Sequence, residues 1–257
     1  MIPLLRRYLL DNWAELPFGE PRPENLVFLM KGTGVSKVCC YIFPDGASAP
    51  RWVAKMARAP RENWLLAQEY RFVTELRQEG TPLIRSTIPN PLLSTLISGH
   101  FVVVEPYFPG HSMQIIPDAI KGQSERQNNA CLDRAIHWLL QCQKDLMTQY
   151  APLTDAQMQT YLLSPIKLLR ATARLTRSEL AYLEELAVRL KQLADEPLPL
   201  VFHHGDFRLE NILMNRDAIQ VIDWEYGART ALPLLDVFTL LTRTHGQKCG
   251  IEEIDGY

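Results

Sequence analysis

The sequence predicts an α+β fold in two lobes, a small strand-rich lobe followed by a mainly helical one. Strand-like apolar runs fill most of the first hundred residues around one prominent helical pattern, and helical spacing takes over from Ser124. A third observation, the polar-punctuated stretch 202–223, has the marks of a hairpin set into the helical part. With 257 residues, 47% of them hydrophobic, the chain is long enough for one large domain or two coupled lobes.

The elements follow in order. "MIPLLRRYLLDNW" has its apolar residues interrupted by Arg6, Arg7 and Asp11, so it reads as an amphipathic helix using Leu5, Tyr8, Leu9 and Trp13, not as a signal peptide or membrane span. Pro17 to Pro23 is turn-rich, and "NLVFLMKGTGVSKVCCYIFPDG" reads as two strands around a glycine pair. "APRWVAKMA" is a further strand. "ENWLLAQEYRFVTELRQEG" is a helix ending at Gly80, with Leu65, Phe72, Val73 and Leu76 as its apolar stripe. "HFVVVEPYFPG" is a strand running into a turn, and the boundary between the lobes falls there. The division is 1–104 for the first lobe, 105–110 for a hinge and 111–257 for the second lobe.

In the second lobe "ERQNNACLDRAIHWLLQCQKDLM" places Leu132, Ala135 or Ile136, Leu139, Cys142 and Leu146 at helical spacing. Tyr150 to Arg174, broken by Pro152 and Pro165, predicts shorter helices. "TRSELAYLEELAVRLKQLADEP" opens with Thr176 and Glu179 in capping-box spacing and turns Leu183, Leu186 and Leu190 inward.

Composition excludes some functions. A net charge of −2 provides no basic field of the kind nucleic-acid binding needs. The five cysteines, Cys39, Cys40, Cys131, Cys142 and Cys249, show no CxxC spacing and mostly sit in apolar runs, as reduced thiols in a cytoplasmic setting do.

The chemistry concentrates in "FHHGDFRLENIL" and the "VIDWE" that follows. "NILMN" and "IQVID" are apolar runs joined by the turn residues "RDA", so residues 211–223 form a hairpin that brings Asn211 and Asp223 to one end. Two oxygen-bearing side chains converging there suit a hard divalent cation, and Asp206, just before the first strand, is placed to accept a proton. Adjacent residues on a strand point to opposite faces, which argues against His203 and His204 sharing one metal ion.

"HGDFRLEN" with "IDWE" resembles the His-Gly-Asp and Asp-Trp-Glu motifs of the aminoglycoside phosphotransferase and choline kinase-like family, which has the protein-kinase fold. The resemblance implies Asp206 as catalytic base, Asn211 and Asp223 as magnesium ligands, His204 as a scaffold of the loop, and Asp236 in "ALPLLDVFTLL" as structural. It also implies a lysine for the nucleotide phosphates held by a glutamate. Lys55 in "VAK" and Glu69 on the following helix fill those positions, and Glu69 falls inside the apolar stripe, where a buried carboxylate needs a cation. Gly32, Gly34 and Ser36 of "KGTGVSK" stand where a phosphate-covering loop belongs. The backbone from Glu105 to Tyr107 would meet the adenine edge. Arg208, two residues after the base, is a candidate stabiliser of the transferred phosphate.

The function expected is ATP- and magnesium-dependent transfer of a phosphoryl group to the hydroxyl of a small molecule, spacing alone leaving GTP open. Only 34 residues follow Asp223, fewer than the resemblance implies, which leads to the expectation of either a shortened second lobe or an open acceptor pocket, with a larger or partly exposed acceptor such as a glycan or lipid-linked sugar or else a loss of efficient transfer. The rival from another class is a catalytically silent nucleotide- or partner-binding pseudokinase. A protein kinase is disfavoured, since HGD stands for HRD and Asp-Trp-Glu for Asp-Phe-Gly.

Overall fold

The computed structural model describes residues 1–33, 36–113, 123–147, 149–192, 196–216, 218–230 and 232–248. Helix α1 (Ile2–Asp11) buries Leu5 and Leu9, one turn apart, and a single 3₁₀ turn at Trp13–Glu15 then drops Trp13 into the same cluster. The sheet beneath it comprises β1 (Leu26–Thr33), β2 (Lys37–Pro44) and β3 (Trp52–Ala57), then β4 (Leu93–Ile97) and β5 (His100–Pro106). It is antiparallel throughout, in the order β1-β2-β3-β5-β4.

Register decides which side chains meet. Cys40 pairs with Ala54 and Ala54 with Val104, and all three are buried under α1 with Ile42, Met56 and Val102. The neighbouring row, Cys39 with Lys55 and Lys55 with Val103, therefore points to the opposite face. Helix α2 (Asn63–Glu79) lies on that face, where Leu66, Glu69 and Val73 surround a small cavity with Val103 and Glu105. Leu66 rather than Leu65 heads the buried stripe. The spacing of 66, 69, 73 and 76 keeps one face inward, and Leu65 lies off it, half-buried.

Gly80 follows the helix as expected, for a different reason than a left-handed cap. Its φ is not positive, and a Cβ there would meet the Leu76 carbonyl oxygen at 2.5 Å and Ile84 at 2.8 Å. Helix α3 (Pro82–Thr87) turns back immediately. With α2 it buries Phe72, Val73, Leu76, Ile84 and Ile88 in the core of the second lobe, beside Trp138, Phe202 and Trp224. The lobes are thus joined by a shared core as well as by a connection.

The second lobe continues with β6 (His111–Ser112), α4 (Gln123–Leu146), β7 (Tyr150–Ala151), α5 (Asp155–Met158), α6 (Ser164–Thr172) and α7 (Arg177–Gln192). A π turn at Gln159–Leu163 links α5 to α6, so Pro152 and Pro165 divide this stretch less than the sequence suggests. Pro165 lies at the junction of that π turn with α6, where the helical hydrogen-bond ladder is already interrupted. The capping box of α7 forms: Thr176 N–H donates to Glu179 and Glu179 N–H donates to Thr176 Oγ1. Then come β8 (Leu198–Pro199), β9 (Val201–His203), β10 (Ile212–Asn215), β11 (Ala218–Val221), β12 (Ala228–Thr230) and α8 (Leu235–Lys248). β7 pairs with β8, β9 with β12, and β10 lies between β11 and β6.

Cys39, Cys40 and Cys142 are free thiols; nothing is described for the side chains of Cys131 and Cys249. Among the described residues no helix is long and apolar enough to cross a membrane. Leu5 is fully buried between α1 and the sheet, so Leu5→Ala should cost about 3 kcal/mol through the cavity it leaves, read as a lower urea midpoint with unchanged slope.

Candidate active site

The hairpin β10–β11 pairs Ile212 with Val221, which leaves Asn211 and Asp223 flanking the same end. Ile222 N–H donates to the Asn211 carbonyl at 2.9 Å and closes that end. Asp223 has φ 65°, a left-handed conformation that an aspartate tolerates and that a tethered neighbour can hold.

One imidazole ties the two halves of the site together. The Asp206 N–H donates to His204 Nδ1 at 3.2 Å, so the imidazole proton sits on Nε2, which donates to the Ile222 carbonyl at 2.9 Å. Burial pushes the His204 pKa down and keeps the ring neutral, as this tautomer requires. Asp236, fully buried on α8, holds the loop from behind. Its carboxylate accepts the N–H groups of His204 at 2.6 Å and Gly205 at 3.1 Å, with His203 Nδ1 2.9 Å away. Burial opposes ionisation of Asp236, but the bonds from His203 and His204 outweigh it and its pKa is lowered. Gly205 has φ +84°, and a Cβ would sit 2.6 Å from the Tyr226 carbonyl oxygen, so the loop admits only glycine there.

Asn211 Nδ2 donates to both the carbonyl and Oδ2 of Asp206, each at 2.9 Å. Both partners are acceptors, so the amide nitrogen must face Asp206, and Asn211 Oδ1 is turned away from it. Arg208 Nε lies 3.0 Å from the same Asp206 Oδ2. The arginine expected to face a transferred phosphate is thus paired with the candidate base itself.

The second half of the site is a buried charge cluster. Lys55 Nζ lies 2.5 Å from Glu69, 3.2 Å from Glu105 and 3.7 Å from Asp223. Burial disfavours the ammonium, but Glu105, Glu69 and Asp223 outweigh it and hold the Lys55 pKa well above the ordinary lysine value. Burial likewise works against Glu69 and Asp223; Lys37 and Lys55 reverse it and lower both pKa values. For Glu105 burial wins, and its pKa is raised.

Sequence reasoning did not assign Lys37 or Glu225. Lys37 Nζ reaches Glu225 at 3.0 Å, Asp223 at 3.1 Å and Glu69 at 3.2 Å, bridging the sheet, α2 and the loop after β11. The β2–β3 register explains its place, since by strand parity Lys37 shares with Cys39 the face that carries Lys55.

The remaining predicted residues are less gathered. Gly32 lies in β1 opposite Cys39, beside a bulge in the β1–β2 register; Gly34 lies outside the described residues. The Ser36 carbonyl accepts the Arg58 N–H at 2.9 Å and fixes the end of the loop to β3. The Glu105 side chain turns to Lys55, and the Tyr107 N–H donates to the Arg51 carbonyl at 2.8 Å, so that N–H is not free for a purine edge.

Among the described residues no group of three or more His, Cys, Asp and Glu side chains forms a closed cation site. Asp223 and Asn211, which flank the same hairpin end, are the oxygen-bearing side chains that could hold a hard divalent cation there.

The sequence profile of the phosphotransferase enzyme family, APH, matches residues 41–257. The chain belongs to that family. It is accordingly a phosphotransferase with a hydroxyl acceptor, built on the protein-kinase-like fold. Solved structures agree with the fold at low identity. A thermostable mutant of aminoglycoside phosphotransferase APH(4)-Ia, in ternary complex with AMP-PNP and hygromycin B, superposes with TM-score 0.59 at 12% identity. That match covers 95% of this chain and 77% of the other. The macrolide 2'-phosphotransferase MphH from Brachybacterium faecium gives 0.52 at 16% identity, over 87% and 73%. A GDP complex of a mutant aminoglycoside 2'-phosphotransferase-IIIa gives 0.50 at 17% identity, over 97% and 83%. No curated protein gives a significant sequence match.

Glu69→Gln removes the carboxylate between two buried ammoniums of the phosphotransferase and should destabilise it by about 3 kcal/mol at neutral pH. Because the folded Glu69 pKa is lowered, its contribution is fully present above the unfolded value near ~4.3 and is lost as pH falls through the lowered one. Denaturation of wild type and variant at a series of pH values should therefore show the gap closing only below the ordinary carboxylate range.

Proposed function

We propose that the chain is an ATP- and magnesium-dependent small-molecule kinase that transfers the γ-phosphate to a hydroxyl of an acceptor such as an amino alcohol, a sugar or an aminoglycoside-like molecule. The observation that carries this reading is the meeting of Lys55, Glu69 and Asp223 from three distant parts of the chain, with Asp206 and Asn211 at the same hairpin end. Nucleotide use is supported by the fold's occurrence in complexes with AMP-PNP, ADP and GDP, and a small acceptor by those with hygromycin B and kanamycin. The nucleotide would lie between residues 1–104 and 111–257, against the 105–110 connection, in a cytoplasmic protein. Nothing in the geometry favours a glycan or lipid-linked sugar over a smaller acceptor.

In this reading Asp206 is the base. Its Oδ2 is engaged by Asn211 and Arg208, which fixes the carboxylate plane and leaves Oδ1 to take the acceptor's hydroxyl proton. Lys55, held by Glu69 and Glu105, presents its charge to the nucleotide phosphates. Asp223 and Asn211 would hold magnesium, which neutralises phosphate charge when bound. Gly32, Gly34 and Ser36 would cover the phosphates, and the chain from Glu105 to Tyr107 would border the base through groups other than the Tyr107 N–H. Arg208 keeps Asp206 oriented until the acceptor arrives.

Asp206→Asn should keep magnesium-nucleotide binding within a few-fold of wild type while transfer falls by roughly 10²–10⁴. Asp223→Ala should weaken that binding. Calorimetric titration with the nucleotide, followed by phosphate transfer across hydroxylated acceptors, measures both. Transfer by Asp206→Asn at the wild-type rate removes the base assignment, and nucleotide binding with no transfer to any acceptor favours a silent pseudokinase.

A further inference from the structure

Lys37 opens β2 with its side chain 12% exposed, and its ammonium touches three carboxylates. The contacts are unequal in kind. Glu225 Oε2 at 3.0 Å and Glu69 Oε2 at 3.2 Å lie outside the proposed metal donor set, whereas Asp223 Oδ1 at 3.1 Å belongs to it. Lys55 stands further from that oxygen, at 3.7 Å, and is committed to Glu69 and Glu105.

We propose that Lys37 is a resident counter-ion that competes with the divalent cation for Asp223, so that its release from Asp223 onto Glu225 and Glu69 sets the cation concentration at which the site loads. The proposal rests on the reading of Asp223 as a metal ligand. Four carboxylates, Glu69, Glu105, Asp223 and Glu225, face two ammoniums, so the cluster has a surplus of negative charge. A cation arriving at Asp223 meets an ammonium already bonded to the oxygen it needs, and like charges in a poorly solvated site repel strongly. Glu225 and Glu69 let Lys37 yield without becoming an unpaired buried charge.

Two plainer roles predict other behaviour. A lysine that only clamps phosphate would, on removal, weaken nucleotide binding and leave the cation requirement of the nucleotide-free protein unchanged. A lysine that only braces the lobe would change stability alone.

The test is titration of Mn²⁺ into the nucleotide-free full chain, with free Mn²⁺ followed by its electron paramagnetic resonance signal. Lys37→Met and Lys37→Gln should bind Mn²⁺ roughly tenfold more tightly than wild type, an electrostatic gain of ordinary size for one removed neighbouring charge. Lys37→Arg should stay at the wild-type level, and adding Asp223→Asn to Lys37→Met should erase the gain. Mn²⁺ affinity in the two neutral variants no higher than in wild type, undetectable binding in all included, overturns the proposal. Failure of both variants to fold, judged by circular dichroism, also overturns it in favour of a brace. ADP titration of the wild type in magnesium reports separately on the kinase reading; absent binding sinks that reading, while the Mn²⁺ series still decides the role of Lys37.

Discussion

Two lysines on the sheet and the carboxylates they hold fix where the two lobes meet. A carboxylate such as Glu69, buried in an otherwise apolar stripe of α2, is tolerable only against a cation, and Lys55 on β3 supplies one. That pairing sets the rotation of α2 over the sheet, because turning Glu69 elsewhere would strand both charges. Lys37 extends the same constraint to Asp223 and Glu225, which belong to the second lobe. The cluster therefore specifies alignment more than it adds stability, since burying ions consumes much of what their attraction returns. Stability comes from the two apolar cores, one under α1 and one shared by α2, α3 and the helical lobe.

Behind the cluster, a second set of bonds fixes the loop that carries Asp206. Asp236 takes two backbone N–H groups of the loop, and His204 spans from Asp206 to Ile222. A catalytic carboxylate on a loop would otherwise move on the scale of the distances that matter for proton transfer. Here the Asp206 backbone is bonded through His204 to the chain leading into Asp223, so the two carboxylates shift together or not at all. The neutral state of His204 is part of this arrangement, because a protonated ring would turn a donor toward the Asp206 N–H.

Much of this was legible in the sequence, for reasons that differ by residue. Glu69 declared itself by its position, a carboxylate at the centre of a helical apolar stripe. Asn211 and Asp223 were legible because a hairpin with a short turn converts a sequence distance into a spatial meeting, and β10 and β11 pair as a hairpin. Asp236 is legible through the resemblance of "ALPLLDVFTLL" to the family's following segment. Lys37 left no such mark, since a lysine beside a glycine-containing turn reads as a solvated residue. Only the pairing of Cys39 with Lys55 shows that it points into the cleft. Helix α3 and strand β4 are too short for periodicity to reveal. The Tyr107 N–H bond to Arg51 is a tertiary fact that no local pattern encodes.

The pairing of Arg208 with Asp206 bears directly on the chemistry. Read from sequence, it faces a transferred phosphate; in the structure it lies 3.0 Å from the candidate base. Phosphoryl transfer through a loose transition state asks less of the base, because the hydroxyl proton is held until late and orientation matters more than driving force. In the proposed reading, a carboxylate with one oxygen engaged by Asn211 and Arg208 and the other offered to the acceptor meets that demand. In the proposed reading Asp206 acts chiefly to orient the hydroxyl, and Arg208 fixes the direction from which the acceptor approaches.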